Sequence, residues 1–309
     1  MIDIFIQTLP FFALIAVGFG AAKVGFFSAE ATAYLTKFVF YFALTAMILK
    51  FSANLSLGEV LDFNFILAYL AASIVVYIFA TCVAMARGVG WAEAAVEAQC
   101  SVIGNVGFLG IPMLALLLGE AAIGPVIMLV SVDLMVFSSL IVIVITFSRQ
   151  GHLSMAIFKS VGIGILKNPM VVSIAAGFAY AATGWPIPVP VNSFLTLLGA
   201  AATPCALFAI GASLAEKSAE RISVAGWLTF CKLVLHPAAV AVSALWIFDV
   251  EVFSAHVMIA CAALPVAGNV YILAQHYGVA PQRVSASILI STLISVVTLS
   301  MVIAWVTGV

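Results

Sequence analysis

Charged side chains are scarce in this chain: 7% of 309 residues, where a soluble domain carries about 25%. Eleven basic and twelve acidic groups cannot cover the wet surface that a soluble protein of this length presents. An excess of one sign is missing too. The net charge is −1, which excludes a polybasic face for nucleic acid. The five cysteines (Cys82, Cys100, Cys205, Cys231 and Cys261) lie in apolar segments without CxxC spacing. That speaks against a disulfide framework or a zinc site. There is no GxxxxGK[ST] loop for nucleotide hydrolysis, no HExxH and no GxSxG, and the four histidines are scattered. An enzyme, a resident cofactor and a bound metal are therefore not expected.

Apolar residues fill the space that charge leaves. They make up 65% of the chain, and mean hydropathy is +1.30. From Asn168 to Ala215, 48 residues pass without Asp, Glu, Lys or Arg. Such a run is far longer than a buried helix needs and fits several membrane spans. The opening MIDIFIQTLPFF carries an acid before its apolar run, and its first lysine, Lys23, follows that run. It reads as a retained first span, not a cleaved signal peptide.

At about 20 apolar residues per crossing, the chain divides into ten candidate spans. They are Ile4–Val24, Ala33–Lys50, Phe65–Ala86, Ala94–Leu118, Val126–Phe147, Pro169–Thr183, Val191–Leu214, Gly226–Phe248, Ala255–His276 and Val284–Val306. The connections after odd-numbered spans hold Lys23, Arg87, Arg149, Lys159, Lys167, Lys217, Arg221 and Arg283, whereas those after even-numbered spans hold only Lys50. The asymmetry puts the odd connections in the cytoplasm and both termini outside. A cell-membrane protein, in a bacterium one of the inner membrane, is expected.

The longest connection, 148–168, places Leu153, Ile157, Val161 and Gly164 on one face of a short surface-lying helix. It separates two sets of five spans, 1–147 and 169–309. An odd number per half inserts the second half upside down, which is the inverted-repeat architecture of many secondary transporters. Equivalent spans four and nine then carry equivalent features. Span four reads Gly104-Asn105-Val106-Gly107-Phe108-Leu109-Gly110-Ile111-Pro112, and span nine reads Leu264-Pro265-Val266-Ala267-Gly268-Asn269-Val270-Tyr271. Glycine lowers the cost of leaving helical dihedrals, and proline removes a donor and clashes with the preceding turn. Freed backbone groups in hydrocarbon are tolerated only where protein, water or a ligand satisfies them. Two crossed broken helices lining a cavity are expected, their N-termini and asparagine amides facing an anion. Close helix packing through Gly104, Gly107 and Gly110 with gentle proline kinks is the bland alternative.

Three ionisable groups lie inside expected spans, where each needs a reason. Asp133 on span five either binds a coupling cation or titrates during transport, or it forms a structural pair with Lys232 on span eight. His236, one turn beyond Lys232 and just before Pro237, either satisfies a freed carbonyl or relays protons.

GNVGFLGIP and LPVAGNVYILAQHYG resemble the auxin efflux carrier family. So do Lys167-Asn168-Pro169, Leu207-Phe-Ala-Ile-Gly-Ala-Ser-Leu214 and Lys232-Leu-Val-Leu-His-Pro237. The similarity spans essentially the whole chain, and the short central connection resembles compact bacterial members. The resemblance implies an all-α, ten-helix inverted five-plus-five repeat related to bile-acid-type and sodium/proton-antiporter folds. Spans one, two, six and seven would form a scaffold, usually a homodimer interface; spans three to five and eight to ten would form the moving transport unit. It implies a small organic carboxylate as substrate, malonate- or malate-like in bacterial relatives and auxin-like in plant ones. Substrate contacts would centre on Asn105 and Asn269, with Gly104, Gly268 and the Pro112 and Pro265 breaks around them. Thr45 and Tyr271 would be rim groups, and Gln275 and His276 interfacial anchors.

The leading expectation is a secondary carrier working by elevator-type alternating access. The alternatives are a substrate-gated channel or a sensor with a transporter-like body. Sodium, protons and no coupling ion all remain open at this point.

Overall fold

A computed structural model describes residues 2–55, 62–150, 155–215 and 222–308. Lys217, Arg221 and Leu153, invoked above, fall outside the described residues. Thirteen helices account for nearly all of the described chain, and no strand occurs among the described residues.

Six helices are long and apolar enough to cross a membrane: α2 (Ala29–Ala53), α3 (Phe63–Ala86), α6 (Glu120–Arg149), α9 (Val189–Ala215), α10 (Ile222–Ile247) and α13 (Pro281–Thr307). Helix α1 (Ile2–Lys23) is shorter in its described apolar part. Two expected spans are split. The fourth consists of α4 (Trp91–Val102) and α5 (Val106–Leu118), the ninth of α11 (Val252–Ala262) and α12 (Gly268–Tyr277). The central connection forms helix α7 (Met155–Lys167), bent by 65° from α8 (Pro169–Ala181). The cause is local: Pro169 follows Asn168, whose extended backbone starts a new helix and whose side chain accepts from Met170 N–H at 3.0 Å.

Large apolar side chains cover the outside. Val75, Ile78, Leu197 and Leu293 are exposed in the middle of helices, a surface that suits lipid and not water. Trp91, Trp185, Trp246 and Trp305 are exposed at helix ends, where their amphipathic rings match a membrane interface.

The helices pack most extensively in two sets. Helix α1 lies along the second half of α9, while α8 and the first half of α9 lie along α2. In the other set α3 packs on α4 and α10, α4 on α6, α10 on α11, and α13 on α10. Basic residues cluster where three connections meet. Arg87 ends α3 and bonds Glu97 of α4, which also accepts from Arg283 of α13, and Arg283 reaches Glu93 at 3.2 Å. Arg149, ending α6, donates to Tyr277 O at the end of α12. The connections after the third, fifth and ninth expected spans thus share one end of the molecule.

Candidate functional site

The two split helices meet at their breaks. Gly104 and Val266 form an antiparallel bridge. Asn105 N–H donates to Pro265 O at 2.8 Å, and Ala267 N–H to Ile103 O at 3.1 Å. These bonds exchange under a local two-fold through Gly104 and Val266. Two of the backbone pairs freed by the interruptions therefore satisfy each other, as the apolar surroundings demand. Close approach favours glycine here: a Cβ on Gly104 would stand 3.1 Å from Cys261 O and 3.3 Å from Lys232 Nζ.

Four half-helices point at this crossing, α4 and α11 with carbonyl ends, α5 and α12 with amide ends. First-turn N–H groups of α5 (Gly107, Phe108) and α12 (Gly268, Asn269) have no preceding helical carbonyl to reach. The buried Asn105 side chain makes no capping bond to the helix it precedes, and Asn269 Oδ1 is buried without a partner among the described residues. Two amide ends with two asparagines beside them, whose Nδ2 groups can donate, offer chemistry suited to a small anion with oxygen acceptors.

The register is not the one the shared tripeptide suggests. Counting from the two-fold, Asn105 is one residue past the centre and Asn269 three. The counterpart of Asn105 is Ala267, and that of Asn269 is Gly107. Pro112 is also displaced from the break. It is the second residue after a wide turn in which Ile111 N–H reaches Val106 O, whereas Pro265 stands inside its break.

Sequence comparison settles the class. The family model described as Membrane transport protein matches residues 3–303. The "Putative malonate transporter" of Rhizobium meliloti (strain 1021) is 33% identical over 301 residues, covering 94% of this chain and 92% of the relative. The chain belongs to the membrane transport protein family, that of the auxin efflux carriers.

Behind the crossing this transporter buries a polar network. Lys232 and His236 are fully buried on α10. Lys232 Nζ donates to Ala262 O, the carbonyl end of α11, and lies 3.3 Å from His236 Nδ1. With the ammonium donating to Nδ1, His236 holds its proton on Nε2 and donates to Ser73 Oγ at 3.0 Å. Asp133 of α6 accepts from Tyr69 OH at 2.8 Å. Among the described residues Asp133 and Lys232 make no direct ion-pair contact, but each lies within the other's electrostatic reach. Both occupy wide helical turns, Asp133–Phe137 and Cys231–Leu235, closed by Ser138 N–H and His236 N–H. Such turns interrupt regular bonding without ending the helix and frequent functional sites.

Tyr69 and Ser73 escaped the sequence reading, although their spacing held a signal. Tyr69, Ser73 and Tyr77 recur every four residues on α3 and bond α6, α10 and α4 in turn. Glu97, fully buried, was missed as well; an acid inside an expected span is the same kind of sign that flagged Asp133. The remaining expected contacts lie further out. Thr45 spends its hydroxyl on Tyr41 O and Phe42 O within α2. Tyr271 is half-buried on α12 and has interactions of its own. Gln275 and His276 are exposed at the end of α12. No group of three His, Cys, Asp or Glu side chains among the described residues is arranged to hold a metal ion.

Proposed function

We propose that this transporter is a secondary carrier of a small organic carboxylate, with malonate as the first substrate to try. The observation that carries this reading is the crossing itself. Two interrupted helices bond back to back, and their amide ends, with Asn105 and Asn269 beside them, are left for an anion. The name of the Rhizobium relative supports the choice of a dicarboxylate. Ten spans in an inverted five-plus-five repeat, both termini outside the cytoplasm, account for the basic connections gathered at one end.

The two packing sets support a division of labour. Helices α1, α2, α8 and α9 would be the scaffold, through which two copies pair, and the rest would carry the substrate across as an elevator. Asn105 and Asn269 contact substrate, Gly104 and Gly268 admit it to the backbone, Pro265 and Pro112 shape the two breaks, and Tyr271 and Thr45 lie toward the rim. Asp133, Lys232 and His236 set the charge behind the site.

Saturable malonate counterflow in liposomes tests the carrier against a channel or a sensor. Asn105→Ala and Asn269→Ala should each weaken malonate binding about tenfold, the scale of a hydrogen bond lost to a charged ligand, with little change in thermal stability. Wild-type counterflow in both variants would remove the crossing from the mechanism.

A further inference from the structure

Half-helix carbonyl ends at an intramembrane crossing are where transporters of this architecture hold a coupling cation, because the carbonyls carry the negative end of the helix dipole. In this protein that position is taken. The Lys232 ammonium donates to Ala262 O, the end of α11, touches His236 Nδ1 and packs against Gly104 at the bridge. Asp133 and Cys261 are the other titratable groups within its electrostatic reach, and Tyr69 stands behind Asp133. We infer that Lys232 is a tethered cation occupying the coupling-ion position at the crossing, so that this carrier works without sodium and moves the substrate's own charge across the membrane.

The second half of that statement follows from the tether. A sodium ion enters with substrate, leaves on the far side and contributes its gradient. An ammonium fixed to α10 crosses loaded and returns empty, with the same charge on both strokes. It lowers the cost of placing an anion in a low-dielectric site yet supplies no driving force. Each substrate charge moved against a membrane potential is worth about 2.3 kcal/mol per 100 mV. An inside-negative potential therefore drives malonate outward.

The inference rests on the carboxylate-carrier reading for its transport arm only. Its first arm uses purified wild-type protein and salts alone. Thermal unfolding in sodium, potassium, lithium and choline chloride at equal ionic strength should give the same midpoint. A sodium-specific rise of about 2 °C or more would show a free cation site and overturn the inference. Lys232→Ser vacates the position, and methylammonium should then raise the variant's midpoint where choline does not. No response in a folded variant is equally fatal, and a variant that fails to fold leaves the wild-type arm to decide. In liposomes, malonate efflux should be unchanged when choline replaces sodium and should accelerate several-fold under an inside-negative potassium diffusion potential. A tenfold loss without sodium, or indifference to the potential, overturns it. Absence of any malonate flux in wild type would instead sink the carrier reading, with the salt arm still standing.

Discussion

Two helix crossings in this molecule solve the same problem by opposite means. Where α1 meets α9, backbones touch with nothing between them. A Cβ on Gly211 would fall 1.9 Å from Ile15 O, and one on Gly18 2.1 Å from Phe208 O. Gly177 and Gly199 bring α8 and α9 close to α2 less tightly, where an added Cβ would stand 2.4 Å from Ser52 Cβ and 3.2 Å from Met47 Cα. These helices stay continuous and gain contact area from missing side chains, the usual route to association in lipid. Where α4 and α5 meet α11 and α12, the helices stop, and backbone groups bond across the gap with a lysine wedged beside them. A glycine joint is tight and chemically mute. The broken one leaves helix amide ends and a buried ammonium side by side.

The contrast can be attacked at both joints. Gly211→Leu should abolish recovery of folded, monodisperse protein, and Gly211→Ala should cost about 3 kcal/mol by overpacking, read as a lower unfolding midpoint. Equal stability of Gly211→Ala and wild type would show that α1 and α9 are not held by backbone contact. Glu97→Gln takes the buried carboxylate from both Arg87 and Arg283 and leaves the buried Arg283 only the part-exposed Glu93, and about 3 kcal/mol of destabilisation is expected in thermal unfolding.

Gly104→Ala crowds Cys261 O and a flexible lysine by only a few tenths of an ångström. About 1 kcal/mol is expected, with malonate affinity falling more than stability does. The reverse order would make the broken joint structural. The smallest effect is at Glu251, beyond the end of α10, where Phe253 and Ser254 N–H groups hold the carboxyl below its ordinary range. Its contribution is complete above the ordinary carboxylate pKa and fades as pH falls through the lower folded value. Glu251→Gln should cost at most about 1 kcal/mol near neutrality. That difference should shrink in unfolding curves as pH falls below the ordinary carboxylate range.

The six long apolar helices and the two interruptions were legible because each is a local matter: apolar length for the first, glycine and proline density for the second. Asp133 and Lys232 announced themselves as charges in apolar text. The pairing of Gly104 with Val266 was not legible, since it depends on backbone groups 162 residues apart and on no side-chain pattern. Reading the two Gly-Asn-Val triplets as equivalent misplaced one of them by two residues. Tyr69 and Ser73 were hidden by company, for hydroxyls are ordinary in membrane helices when they bond a carbonyl one turn back. Thr45 and Thr81 do just that. The glycines of the α1–α9 joint look like any other small residues until the two helices are set together.

The unequal placement of the two asparagines has an outcome of its own. Two residues of helix correspond to about 3 Å of rise, so a molecule touching both amides lies aslant and meets different lips on entering from the two sides. Affinity measured from one leaflet should accordingly differ from affinity measured from the other, even for a substrate as symmetric as malonate.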